Sequence, residues 1–231
     1  MSDFFSENAK QVERFLYDVG YIKPLDNDYC EIEQADATDE GNLKSVKIND
    51  IPYDPDYPIS WVIDLEIEKQ PSLLSQQKTP EKAVIIFMKN TVWVILVELK
   101  STLKLLRGNR NEEMLPSIIQ KIEGGISQIL LKFPLLSFHV IKPIKNIRFK
   151  AVICYNRERV NKQLKTNPSY NARTEVRLFI NEGKNPYIFD EDIIGLRRTA
   201  EFFWIKNNAD TANFEFSLKQ LDRKNELDNL S

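Results

Sequence analysis

The run Val92-Trp93-Val94-Ile95-Leu96-Val97 is apolar without interruption and leads straight into Glu98-Leu99-Lys100. A strand with one wet face alternates apolar and polar side chains, whereas a strand without alternation is covered on both faces. This segment is therefore predicted to lie inside the fold. Residues two apart on a strand project from one face, so Glu98 and Lys100 set an acid beside a base where the buried strand ends. Charge at the border of a core is costly unless it is paired or binds a metal. An ordinary strand-end ion pair and a reactive site are both compatible with these two residues alone.

Composition narrows the chemistry. At 231 residues, 42% hydrophobic and 29% charged, the chain can bury a sizeable core and is expected to form a single domain, 1–231. No apolar run approaches the roughly 20 residues of a membrane span. The opening Met1-Ser2-Asp3-Phe4-Phe5 has neither a basic leader nor an apolar signal core. The expectation is a cytoplasmic protein with no membrane partner. Cys30 and Cys154 are the only cysteines, expected to be reduced and inert, and His139 is the only histidine. That inventory excludes a histidine or cysteine zinc cluster. No nucleophile motif accompanies His139. Seven glycines, with Gly124-Gly125 the one adjacent pair, make neither a phosphate loop nor a dinucleotide fingerprint. An enzyme built from this chain would work with carboxylates, lysine and a hard metal ion.

Periodicity orders the elements. Val12, Phe15, Leu16 and Val19 recur at helical spacing between Ser6, a cap, and Gly20, a terminator, which predicts a helix over 6–19. A short strand is expected at 43–48. Residues 59–68 alternate, with Trp61, Ile63, Leu65 and Ile67 on one side and Asp64, Glu66 and Glu68 on the other. Residues 83–88 and 92–99 flank Lys89-Asn90-Thr91 as a hairpin. Residues 116–133 carry Ile118, Ile119, Ile122, Ile126, Ile129 and Leu130 as a helical stripe. Gly124 and Gly125 each cost about 1 kcal/mol in that helix, a cost that close packing would explain. Residues 147–155, 175–180 and 200–205 read as strands and 190–198 as a short helix. The tail from Leu218 is expected to fray or to end in a short helix. Trp61, Trp93 and Trp204 are expected to be core or interface aromatics.

The hairpin supplies a neighbour for Glu98. A turn at Lys89-Asn90 sets the two strands so that Glu98 faces Glu81. Carboxylates opposite one another in a sheet repel, and a cation between them removes the conflict. Magnesium suits the arrangement, because it takes oxygen ligands, usually one or two carboxylates with waters and substrate phosphate. Asp64, on the polar face of the preceding strand, is the other candidate acid, since a one-residue slip of register would take Glu81 off the face. The expected metal set is thus Glu98 with Glu81 or Asp64, holding Mg2+ or Mn2+. The metal would orient a scissile phosphate and lower the pKa of a bound water. Lys100 would stabilise the developing charge or position that water.

The order helix, three strands, helix, strand, with Glu98-Leu99-Lys100 closing the third strand, resembles the PD-(D/E)xK nuclease superfamily over residues 6–155. The resemblance implies an α/β protein with a restriction-endonuclease-like core (helix, three antiparallel strands, helix, strand). Residues 156–231 would be a C-terminal extension with further strands and a polar tail. It also implies a Glu-x-Lys pair on the central strand, an acid one strand earlier, and a helical glutamine, which falls here on Gln128. An acid on the first helix, which sometimes joins such sites, would be Glu7 or Glu13. The sequence departs from the family's pattern in that Glu81, not Asp, follows Pro80. A second Glu-x-Lys, Glu182-Gly183-Lys184, reads as a turn and is given no role.

The net charge of −2 hides an asymmetry. Residues 1–70 hold 6 basic and 17 acidic side chains, and residues 100–173 hold 15 basic and 4 acidic. A basic segment of this kind points to a polyanion, unless the two segments simply face each other. Lys142, Lys145, Arg148, Lys150, Arg157 and Arg159 are the candidate phosphate contacts, with Tyr155 and Tyr170 as stacking partners. The leading expectation is a magnesium-dependent endonuclease acting on DNA or RNA, in defence by family analogy, with a homodimer left open. One alternative is a catalytically inactive nuclease fold that binds nucleic acid or a protein. Another is an α/β interaction protein that uses its acidic N-terminal part.

Overall fold

The computed structural model describes residues 22–34, 43–54, 59–65, 79–87, 91–104, 114–137, 146–159, 186–189, 198–222 and 227. In chain order the strands are β1 (Ile22–Pro24), β2 (Cys30–Glu33), β3 (Ser45–Asn49), β4 (Ser60–Asp64), β5 (Lys82–Phe87), β6 (Thr91–Lys104), β7 (Asn146–Arg159), β8 (Pro186–Phe189), β9 (Arg198–Lys206) and β10 (Asn213–Ser217). Helix α1 (Met114–Ser137) separates β6 from β7, and a 3-10 turn, Leu218–Leu221, follows β10. Seven strands make one sheet in the order β1-β4-β5-β6-β7-β9-β8, and three make a second in the order β10-β3-β2.

The uninterrupted apolar run forms the middle strand of the large sheet. Its even-numbered side chains, Val92, Val94 and Leu96, pack with Ile118, Ile122, Ile126 and Ile129 of α1. Its odd-numbered ones, Trp93, Ile95, Val97 and Leu99, pack with Ile32, Val46, Ile48 and Phe216 of the small sheet and with Leu218 and Leu221. Helix, large sheet and small sheet are thus three layers of an α/β fold. All six residues of the run are buried, and side chains of this size contribute about 1.5–3 kcal/mol each on full burial. Connection length follows strand direction: the short β5–β6 link makes an antiparallel pair, and the crossover through α1 makes β6 and β7 parallel.

The expected strands at 43–48, 59–68, 83–88, 92–99, 147–155 and 200–205 correspond to β3, β4, β5, β6, β7 and β9, and the helix at 116–133 to α1. The expected helix at 6–19, the strand at 175–180 and Glu66 and Glu68 lie outside the described residues, as do 190–197. Arg198, placed in a helix by the sequence pattern, instead opens β9. β1, β2, β8 and β10 were not anticipated. The described residues after 155 supply further strands to both sheets. β9 pairs with β7, β10 pairs with β3 in parallel, and Leu218 and Leu221 are fully buried. The segment from Leu218, expected to fray or to end in a short helix, forms a short 3-10 turn that closes the second core.

Gly125 explains how α1 comes so near the sheet. A Cβ built there would lie 2.9 Å from Cδ of Pro80 and 3.1 Å from Cδ2 of Leu96. The helix backbone rests on the residue before Glu81 and on the strand that carries Glu98. Gly125→Ala should therefore destabilise the protein by about 1–3 kcal/mol from overpacking, offset by roughly 1 kcal/mol of helix propensity. Urea denaturation measures this; a variant more stable than wild type would show that the contact relaxes freely.

Candidate functional site

Glu98 continues the even-numbered face of β6, so its side chain leaves the sheet toward α1. It is 0% exposed. Burying a carboxylate costs several kcal/mol unless partners compensate, and two ammonium groups do so. Lys100, on the same face, forms an ion pair with Oε1. Lys121, from α1, lies 2.8 Å from Oε1 and donates to Oε2 at 3.1 Å. The two lysine side chains remain 26% and 20% exposed. The carboxylate is the site's dry floor and the ammonium groups are its rim.

Glu81 is the second buried acid, 4% exposed. β5 and β6 follow the expected register through Lys82 opposite Val97. There the ladder changes. The Glu81 N–H also reaches the Val97 carbonyl, at 3.1 Å, so two residues of one strand meet one of the other, the pattern of a bulge. Past this point the Leu99 N–H donates to Glu81 Oε2 at 2.9 Å. A side chain thus replaces a ladder partner where the site begins. Burial and then the charge of Glu98 push the Glu81 carboxyl well above its ordinary 4.5, with Lys121 and the Leu99 N–H pulling the other way.

Asp64 does not join them. Its ladder partner is Lys82, while its neighbours Ile63 and Leu65 point into the helix-side core and Val62 packs on the other. Alternation therefore puts Asp64 on the sheet face opposite Glu98. Gln128 is buried in α1, but it lies seven residues, roughly 10 Å along the axis, beyond Lys121. The helical residue brought to Glu98 is Lys121, which the sequence reading missed. Its one visible signal is a lysine set between Ile118 and Ile122 on an apolar stripe.

The basic segment divides. Lys142, Lys145 and Tyr170 lie outside the described residues. Arg148 is half-buried in β7 and Arg159 is its last residue. Lys150 is not a phosphate contact: it is buried, 2.9 Å from Glu201, donates to the Leu221 carbonyl at 2.8 Å, and lies 4.0 Å from the Trp93 ring centre. Tyr155 is buried rather than offered for stacking. Arg157 is exposed and paired with Asp210, at 2.7 Å. The acids missing between 142 and 173 come from β9 and the loop after it, which sequence distance concealed. Cys30 and Cys154 are both free and buried. Burial pushes the Cys30 thiol up to about 11 and Cys154 well up, so neither is a nucleophile.

The chemistry available is that of two buried carboxyl groups under two lysines. Among the described residues no three His, Cys, Asp or Glu side chains cluster as a metal cage. Two carboxylates suit a hydrated magnesium ion, which takes one or two and fills the rest with water and phosphate. Oε1 of Glu98, buried beneath the Lys100 and Lys121 ammonium groups, is the atom such an ion would use. No helix among the described residues is long and apolar enough to cross a membrane. No family model, curated protein or solved structure matches the chain.

A raised pKa means that the folded protein favours the protonated carboxyl. Glu81 is then harmless below the ordinary carboxylate range and costs stability as pH rises through its elevated value. Glu81→Gln keeps an oxygen for the Leu99 N–H and cannot ionise. Denaturation curves across pH should find the variant close to wild type in acid and increasingly the more stable protein toward neutral and mildly basic pH. A gap that is constant with pH would show that Glu81 is not the titrating group.

Proposed function

We propose that the protein is a magnesium-dependent nuclease that hydrolyses phosphodiester bonds in DNA or RNA, with Glu81 and Glu98 as metal ligands. The observation that carries this is the convergence of Glu81, Glu98 and Lys100 at the end of a doubly covered central strand. The order of three antiparallel strands, helix and parallel strand supports a restriction-endonuclease-like core. Pro80-Glu81 one strand before Glu98-Leu99-Lys100 supports it as well. Magnesium or manganese, when bound, would supply charge to the scissile phosphate and lower the pKa of a water.

The protein's own contribution is geometric and electrostatic. Glu98 is held rigid by burial, and Glu81 is held by the Leu99 N–H. Lys100 keeps its ammonium at the rim, with its aliphatic stem against the sheet, where it can meet charge developing on a phosphate oxygen. Of the basic residues, Arg148 and Arg159 in β7, with Lys142 and Lys145 before it, remain the candidates for backbone phosphates. A second reading, an inactive nuclease fold that binds nucleic acid or protein, is favoured by one feature: both oxygens of Glu98 already meet ammonium groups.

Lys100→Ala should reduce cleavage by about 10²–10³-fold, the effect of removing one preorganised electrostatic donor, while Mn2+ still binds. Glu98→Ala should lose both cleavage and Mn2+. The assay is gel-resolved cleavage of single- and double-stranded DNA and RNA with Mg2+, Mn2+ or a chelator. Wild-type protein that binds these substrates but cleaves none would establish the second reading. Affinity should fall steeply with salt as phosphate counterions are released; affinity flat in salt would remove the basic segment from the interface.

A further inference from the structure

We propose that Lys121 is an internal counter-ion of the site, occupying on Glu98 the place that a divalent cation takes, so that metal binds by exchange with its ammonium. This rests on the metal reading above. Lys121 is the cation that contacts both oxygens of Glu98, at 2.8 and 3.1 Å. Lys100 already supplies one positive charge from the neighbouring position on the same strand.

The geometry is built rather than incidental. Gly125 lies four residues after Lys121, on the same face of α1, and its missing Cβ lets the helix settle on Pro80 and Leu96. Pro80 precedes Glu81 and Leu96 precedes Glu98 by two, so the approach that needs glycine also carries Lys121 to the carboxylates. The two partners differ in freedom. Glu98 is 0% exposed and fixed, whereas the Lys121 side chain is 20% exposed. A lysine on a four-carbon stem can swing its head to water while the stem stays packed. A metal ion entering from the rim would therefore keep the acids in place and expel the lysine. Without metal, the same lysine spares the fold an uncompensated buried carboxylate.

The test is Mn2+ titration of the full-length protein by calorimetry, comparing wild type, Lys121→Met, Lys121→Gln and Lys121→Arg, with stability measured in chelator. Without the competing ammonium, Lys121→Met and Lys121→Gln should bind Mn2+ about tenfold tighter, the scale of one hydrogen bond to a charged group. Both should be less stable than wild type in chelator, and Mn2+ should restore more of their stability than it adds to wild type. Lys121→Arg should keep wild-type affinity. If the Met and Gln variants bind Mn2+ no more tightly than a wild type that does bind it, the exchange is overturned and the metal reading stands. If every folded form ignores millimolar Mn2+, both are overturned together.

Discussion

Covering β6 on both faces is the constraint on which the other features depend. A strand whose side chains are apolar on either side has to be roofed twice, and the chain does so with two unlike layers. Helix α1 covers the even-numbered side chains, and the small sheet with the 3-10 turn covers the odd-numbered ones. Because the strand is sealed up to Glu98, the first charged residue on it emerges into a space with a dry floor. The same carboxylate on a one-sided strand would stand in water and be worth little, since exposed ion pairs contribute only about 0–1 kcal/mol.

Proximity of the two acids is a consequence of where the β5–β6 ladder stops. With Glu81 bulged at the end of β5, its carboxylate accepts the N–H of Leu99 in place of a backbone carbonyl. Main-chain pairing is traded for side-chain pairing, which aims a glutamate at the next strand. The cost is a carboxyl that resists ionisation beside Glu98, and Lys121 offsets part of that cost. On the opposite face Lys150 does comparable work for the fold, joining Glu201 of β9 and the Leu221 carbonyl beneath the ring of Trp93. Lysines of one segment thus serve different ends, because the layers that meet each differ.

Much of the large sheet is legible in residue order. Strands β4, β5, β6, β7 and β9 and helix α1 each carry a continuous or periodic apolar pattern, and the hairpin turn fixes the β5–β6 register to within its last pair. The small sheet is less visible. Cys30 and Ile32, like Phe214 and Phe216, alternate over only four or five residues in polar surroundings, too short a pattern to separate from loop. β10 also finds β3 across more than 160 residues, a parallel pairing that no local signal announces.

What the sequence determined by itself is therefore local and periodic: a doubly buried strand, an acid and a lysine on one of its faces, a hairpin that brings Glu81 near, and a helix with a glycine in its packing stripe. Tertiary structure decided which charges are partners. It removed Asp64 to the far face through the pairing of β4 with β5 and brought in Lys121 because α1 touches β6 at Gly125. It also withdrew Lys150 from solvent and gave Arg157 an acid in Asp210. The reason is physical: period and propensity act over a few residues, whereas the desolvation and pairing of charge depend on which layers lie within a few ångströms, and only the packed chain sets that.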